Sequence, residues 1–164
     1  VFDFDGIFTD NKVWFDQNGV ESVRCDRGDG LAFDLLRAFI KANDWILNYF
    51  ILSKEINPVV SARAEKLQIN CVQSISNKAD YLASYLNENN LSADGLIYLG
   101  NDINDLGAMR ISGFSVAPSD AHAIILEQVD LVLSQRGGHG FVRAFIELLI
   151  GVEKMSADEV DGLV

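Results

Sequence analysis

Two carboxylates stand two residues apart near the start of the chain, Asp3 and Asp5 in Val1-Phe-Asp-Phe-Asp-Gly-Ile-Phe-Thr-Asp10, behind a short apolar run. In an extended strand side chains i and i+2 leave on the same face, so the pair would emerge together where Gly6 lets the chain turn. Like charges that close resist ionisation unless they share a cation or a proton, a poor arrangement for packing and a good one for magnesium beside a phosphate. Taken alone, Asp-x-Asp also reads as a helix cap or a solvated loop acid. A second acidic turn, Leu99-Gly-Asn-Asp102-Ile-Asn-Asp105, follows another apolar segment and opens a helix-like stretch. Two strand ends with acidic turns point to one shared metal.

Periodicity gives the elements that must bring these residues together. Residues 12–16 and 20–25 flank Gln17-Asn18-Gly19 and read as a β-hairpin flap over about 12–25, with Asn18-Gly19 supplying positive φ values. Leu31, Leu35, Leu36, Phe39 and Ile40 form the apolar stripe of a helix over 29–42, with Gly28-Asp29 as its cap. A strand over 46–52 ends at Ser53. Helices over 57–67, 78–87, 104–110, 121–126 and 141–152 then alternate with strands over 71–74, 96–99, 114–117 and 131–133. Such βαβ repetition predicts an α/β fold, a Rossmann-like doubly wound, mostly parallel sheet. Ligands of such sheets bind beyond the carboxyl ends of the strands, where Asp3, Asp5, Ser53 and Asp102 all fall.

A chain of 164 residues with 49% hydrophobic content suits one domain with a sizeable core. The net charge of -11 argues against a nucleic-acid or membrane-surface partner, so an anionic substrate needs local help from metal and a few cations. Cys25 and Cys71 are too few for a disulfide framework and lack zinc-site spacing, which fits a reducing, cytoplasmic compartment. The longest apolar run, around 45–52, is interrupted by Asn48 and falls short of the ~18 residues of a membrane span. Val1 lies inside the first strand with no initiator methionine ahead of it, so upstream residues are expected. The tail from Ser156 is acidic and expected to fray.

In order, the chain offers Asp-x-Asp after its first strand, Ser53 after the next parallel strand, Lys78 heading a helix, and Asp102 with Asp105 after a later strand. This order resembles the four motifs of the haloacid dehalogenase superfamily across nearly the whole chain, with Asp-Phe-Asp-Gly-Ile-Phe-Thr-Asp and Gly-Asn-Asp-Ile-Asn-Asp as signatures. Only the hairpin and one helix separate Asp5 from Ser53, which leaves no room for a cap domain. The chain is therefore similar to the capless branch that contains the phosphatases of 3-deoxy-D-manno-octulosonate 8-phosphate and of nonulosonate (KDN or sialate) 9-phosphates. The resemblance implies one phosphatase domain over 1–155, an acidic tail over 156–164, and a place in a cytoplasmic sugar-acid pathway such as lipopolysaccharide or sialic acid biosynthesis. It also implies a homotetramer in which hairpins join subunits and a neighbour's C-terminal segment covers each site.

By the same resemblance Asp3 is the nucleophile, forming an aspartyl-phosphate, and Asp5 protonates the leaving alkoxide before taking a proton from the hydrolytic water. Magnesium would be held by the Asp3 carboxylate, the Asp5 main-chain carbonyl and Asp102, with Asp105 behind them steering Lys78 or a bound water. Ser53 would donate to a phosphoryl oxygen and Lys78 neutralise charge around phosphorus, although singly a strand-end serine reads as a cap and a helix-start lysine as a solvated one.

On the substrate side, Glu55, Arg63 and Lys66 match residues that contact the sugar in the nine-carbon group. Arg63 and Lys66 stand three apart on a helix and suit a sugar carboxylate, while Glu55 suits hydroxyls; a solvated charged face is the alternative. Arg136-Gly-Gly-His-Gly140-Phe-Val-Arg143 resembles the glycine-rich loop of the branch, with Arg143 a substrate contact or a helix-surface charge. Departures from the branch are Lys54 in place of glycine, Asn101 in place of aspartate, and His139 in place of arginine or glutamate. Two rival readings share some of these features. A receiver-like phospho-accepting domain also combines acidic magnesium ligands, serine or threonine and lysine, but its phosphorylated aspartate follows a middle strand. A noncatalytic tetramerisation domain of the kind fused to acylneuraminate cytidylyltransferases can lose its nucleophile, whereas Asp3, Asp5, Lys78 and Asp102 are all present here.

Overall fold

The computed structural model describes residues 1–163. Its centre is the opening segment of the chain. Phe2 bridges in parallel to Ile51 on one side and Leu99 on the other. Main-chain bonds from Asp3 N to Leu99 O (2.8 Å) and from Leu52 N to Phe2 O (2.8 Å) fix it there. Beyond Ile51 lie β3 (Phe50–Leu52) and β4 (Asn70–Val72), and beyond Leu99 lie β5 (Ile97–Leu99), β6 (Phe114–Pro118) and β7 (Leu131–Leu133), all pairing in parallel.

Because side chains alternate along a strand, the sheet feeds two cores. Phe2, Ile51, Leu99 and Val116 pack under α1 (Gly28–Ala42), α2 (Val59–Leu67) and α6 (Phe141–Ile150). Phe50, Leu52, Tyr98 and Ala117 face the layer of α3 (Lys78–Glu88), α4 (Leu106–Ile111) and α5 (Ala123–Leu126). Helices on both faces of a parallel sheet make the doubly wound architecture, and among the described residues no cap domain interrupts it.

The flap is the antiparallel pair β1 (Thr9–Phe15) and β2 (Glu21–Cys25), and its Val13, Trp14 and Phe15 are exposed. Its turn differs from the sequence expectation, since Gly19 has positive φ (78°) and Asn18 does not. The carboxylate of Asp16 explains the difference by accepting from Asn18 N (2.8 Å) and Val20 N (2.9 Å), which satisfies the turn amides directly. The strand predicted over 46–52 is also corrected to Phe50–Leu52. Asp44 turns left-handed (φ 52°), Trp45 packs edge-on against Phe39 with centroids 5.0 Å apart, and Ile46 is left 98% exposed. That aromatic pair holds the connection against the end of α1 before it can join the sheet.

At the C-terminus the expected fraying gives way to a short helix α7 (Ala157–Asp161), capped reciprocally by Ser156 and Glu159. Val164, last of the predicted tail, lies outside the described residues. Among the described residues no helix is long and apolar enough to cross a membrane.

Candidate active site

Asp3 ends the central segment with its side chain buried. The turn that follows is held by its own main chain: Phe4 O accepts from Ile7 N (3.2 Å) and Phe8 N (2.9 Å), and Thr9 Oγ1 accepts from Gly6 N (3.1 Å). Gly6 is required there, because its φ is 77° and a Cβ would lie 2.0 Å from Asn101 Nδ2. Half-buried Asp5 leaves this turn towards a cavity of about 470 Å³, whose lining also includes Asp3, Ser53, Glu55, Asn101 and Asp102.

Lys78 enters from the first residue of α3, whose start is fixed by Asn77 Oδ1 accepting from Asp80 N (3.2 Å). Its buried ammonium lies 2.5 Å from Asp3 Oδ1 and donates to Asp105 Oδ1 at 2.8 Å. Asp105 Oδ1 also accepts from Tyr98 Oη (2.8 Å), while Oδ2 accepts from the amides of Asn101 (2.9 Å) and Asp102 (3.2 Å). One carboxylate thus ties β5, its following loop and α3 into a single assembly. Ser53, at the end of β3, accepts from Glu55 N at 3.0 Å and keeps its own hydroxyl hydrogen available to donate.

The electrostatics follow from one ammonium serving two buried carboxylates. Burial, then the charge of Asp105, pushes Asp3 up to about 8 against the opposing pull of Lys78. Burial acts to lower the lysine, but Asp3 and Asp105 outweigh it and hold Lys78 above its ordinary value. Burial and then Glu55 raise Asp5 to about 6. Burial and then Asp105 raise the Tyr98 phenol well above its usual range, so it serves Asp105 as a neutral donor.

The structure brings Asp3, Asp5, Ser53, Glu55 and Asp102 to the wall of one cavity, with Lys78 and Asp105 directly behind Asp3. It does not bring Arg63, Lys66 or Arg143 to that wall. Arg63 turns inward, donating to Asp26 O (2.6 Å) and lying 3.8 Å from buried Asp29, so it shares no substrate-facing surface with exposed Lys66. Arg143 pairs with Glu147 one turn along α6 (2.7 Å), the helix-surface alternative for that residue. Glu55 reaches the cavity, but its Oε1 is occupied by the amides of Ile56 (2.7 Å) and Asn57 (2.9 Å).

Among the described residues no three acidic, imidazole or thiol side chains cluster tightly enough to hold a metal by themselves. The set that the resemblance implies, the carboxylates of Asp3 and Asp102 with the Asp5 main-chain carbonyl, calls on only two such side chains. The Asp5 carbonyl accepts no hydrogen bond among the described residues, and Asn101 Oδ1 is buried with no donor. Oxygen-only donors, free acceptors and two buried carboxyl groups sharing one ammonium suit a hard divalent cation.

Sequence reasoning passed over Tyr98 and the packing of the glycine-rich loop. A tyrosine in an otherwise apolar strand was the available signal, since a buried phenol needs a partner. In the loop, a Cβ on Gly137 would lie 1.9 Å from Gly6 O, and Gly138 N donates to Ile7 O (3.1 Å), so this segment braces the Asp3–Asp5 turn within its own chain.

The fold is a doubly wound parallel sheet whose central segment ends in paired aspartates beside a buried lysine. The haloacid dehalogenase-like hydrolase family matches residues 36–145, and the chain belongs to it. The 3-deoxy-D-manno-octulosonate 8-phosphate phosphatase of Salmonella typhi is 28% identical over 163 residues, covering 99% of this chain and 83% of that protein. Among solved structures, a HAD family hydrolase from Streptomyces avermitilis has a TM-score of 0.80 at 38% identity, over 89% of this chain and 86% of its own. The cobalt-bound form of the deoxy-D-mannose-octulosonate 8-phosphate phosphatase of Haemophilus influenzae has a TM-score of 0.81 at 26% identity, over 98% of this chain and 92% of its own.

Proposed function

We propose that this hydrolase is a magnesium-dependent phosphatase of a phosphorylated 3-deoxy-ulosonic acid, with Asp3 as nucleophile. The observation that carries the reading is buried Asp3 held beside Lys78 on the wall that also presents Asp5, Ser53 and Asp102. In the first step the Asp3 carboxylate forms a bond to phosphorus as the ester P–O bond breaks, and Asp5 gives its proton to the departing alkoxide. In the second, Asp5 takes a proton from the water that attacks the aspartyl-phosphate, releasing phosphate and restoring Asp3. The Ser53 hydroxyl donates to a phosphoryl oxygen, and Lys78, oriented by Asp105 and through it by Tyr98, balances the charge. Asp3, Asp102 and the Asp5 carbonyl would hold the magnesium, which when bound supplies charge neutralisation at the phosphoryl oxygens.

The names of the Salmonella and Haemophilus relatives favour the eight-carbon octulosonate 8-phosphate over a nonulosonate 9-phosphate. So does the inward turn of Arg63, which withdraws one of the three residues matched to the nine-carbon group. On this reading residues 1–155 are the catalytic unit of a cytoplasmic enzyme, and the exposed Val13, Trp14 and Phe15 of the flap suit the homotetramer that the resemblance implies.

The test is phosphate release from both sugar-acid phosphates with magnesium, by the wild type and Asp3→Asn. Loss of about 10³-fold or more in kcat is expected for the variant. Equal rates would reject Asp3 as nucleophile, a stable phosphoprotein would favour a receiver, and an inert wild type would favour an assembly module.

A further inference from the structure

Lys54 has no task in the chemistry described so far. It follows Ser53 in the loop beyond β3 and lines the cavity that holds Asp3 and Asp5. Among the described residues it is the only lysine or arginine on that lining, and it forms neither an ion pair nor a side-chain hydrogen bond. Lys78 lies behind Asp3 with both its carboxylates already engaged, and Arg63 is turned into the fold. The rest of the wall is Asp5, Glu55, Asp102 and neutral amides such as Asn11 and Asn104, a surface that repels an anion.

Depth assigns the contact. The reacting phosphoryl group must meet Asp3, which is buried, whereas Lys54 is exposed at the mouth, where the non-reacting part of a substrate lies. We propose that Lys54 is a specificity-determining residue, receiving a carboxylate on the leaving group and thereby selecting phosphomonoesters of acidic over neutral sugars. This rests on the phosphatase reading above and names the side chain that sets its substrate class.

The test compares kcat/KM for octulosonate 8-phosphate and for a neutral sugar phosphate in the wild type, Lys54→Gln, Lys54→Glu and Lys54→Arg. The acidic-to-neutral ratio should fall about tenfold in Lys54→Gln, the value of one charge-assisted contact, fall further in Lys54→Glu, and be restored by Lys54→Arg. An unchanged ratio overturns the proposal, whether both substrates weaken together, as for a phosphoryl contact, or neither does. Should the wild type hydrolyse neither substrate, the phosphatase reading fails by itself. Calorimetric titration of unphosphorylated octulosonate then decides Lys54, with weaker binding to Lys54→Gln upholding the contact and equal binding overturning it.

Discussion

The two ends of the central strands are built differently. At the carboxyl ends Asp3, Lys78 and Asp105 are 4%, 3% and 0% exposed, and nearly every polar atom among them has a directed partner. At the amino ends a cavity of about 260 Å³ is walled by Phe2, Leu36, Leu99 and Phe145, with no carboxylate, lysine or arginine in its lining. Hydrocarbon packing is non-directional, whereas a buried charge without its partner is strongly unfavourable. The same strands therefore carry an apolar end and a charged end, and the charged end is the one that constrains individual atoms.

Replacing Lys78 by methionine should give the largest effect on both activity and stability. It leaves Asp105 buried without its cation, so unfolding free energy should fall by about 3–5 kcal/mol in denaturant titrations, alongside loss of phosphate release. The counterpart at the apolar end is Leu36→Ala, expected to lower stability by about 3 kcal/mol through a cavity while kcat/KM stays at the wild-type value wherever the variant is folded. A fall in its kcat/KM would mean that the ends are coupled through the sheet.

A smaller effect separates the ends by pH. Burial pushes Asp29, at the start of α1, from 3.8 up to about 7 despite Arg63, so between those values the folded protein retains a proton that the unfolded chain releases. Its contribution to stability is full below 3.8 and is lost as pH rises through about 7. Asp29→Asn should flatten that part of the stability profile, whereas Leu36→Ala should shift the whole profile down without changing its slope.

Much of the fold was legible because its determinants are local. Alternation and helical periodicity place Asp3, Ser53 and Asp102 at the ends of elements, and those ends remain ends when the elements assemble. Reading failed where a single tertiary contact outweighed the pattern. The apolar run 45–52 looks like a strand until Trp45 is caught by Phe39, and Arg63 looks solvent-facing on a helix until Asp26 and Asp29 draw it inward.

The sequence by itself determined a parallel α/β chain with two acidic turns at strand ends, because spacing along the polymer fixes which residues terminate which elements. Only the tertiary structure decided that Asp105 anchors Lys78 and Tyr98, that Gly137 braces the turn of Gly6, and that Lys54 rather than Arg63 reaches the cavity. Those are relations between residues tens of positions apart, and one-dimensional periodicity carries no information about which distant side chain will meet a buried charge.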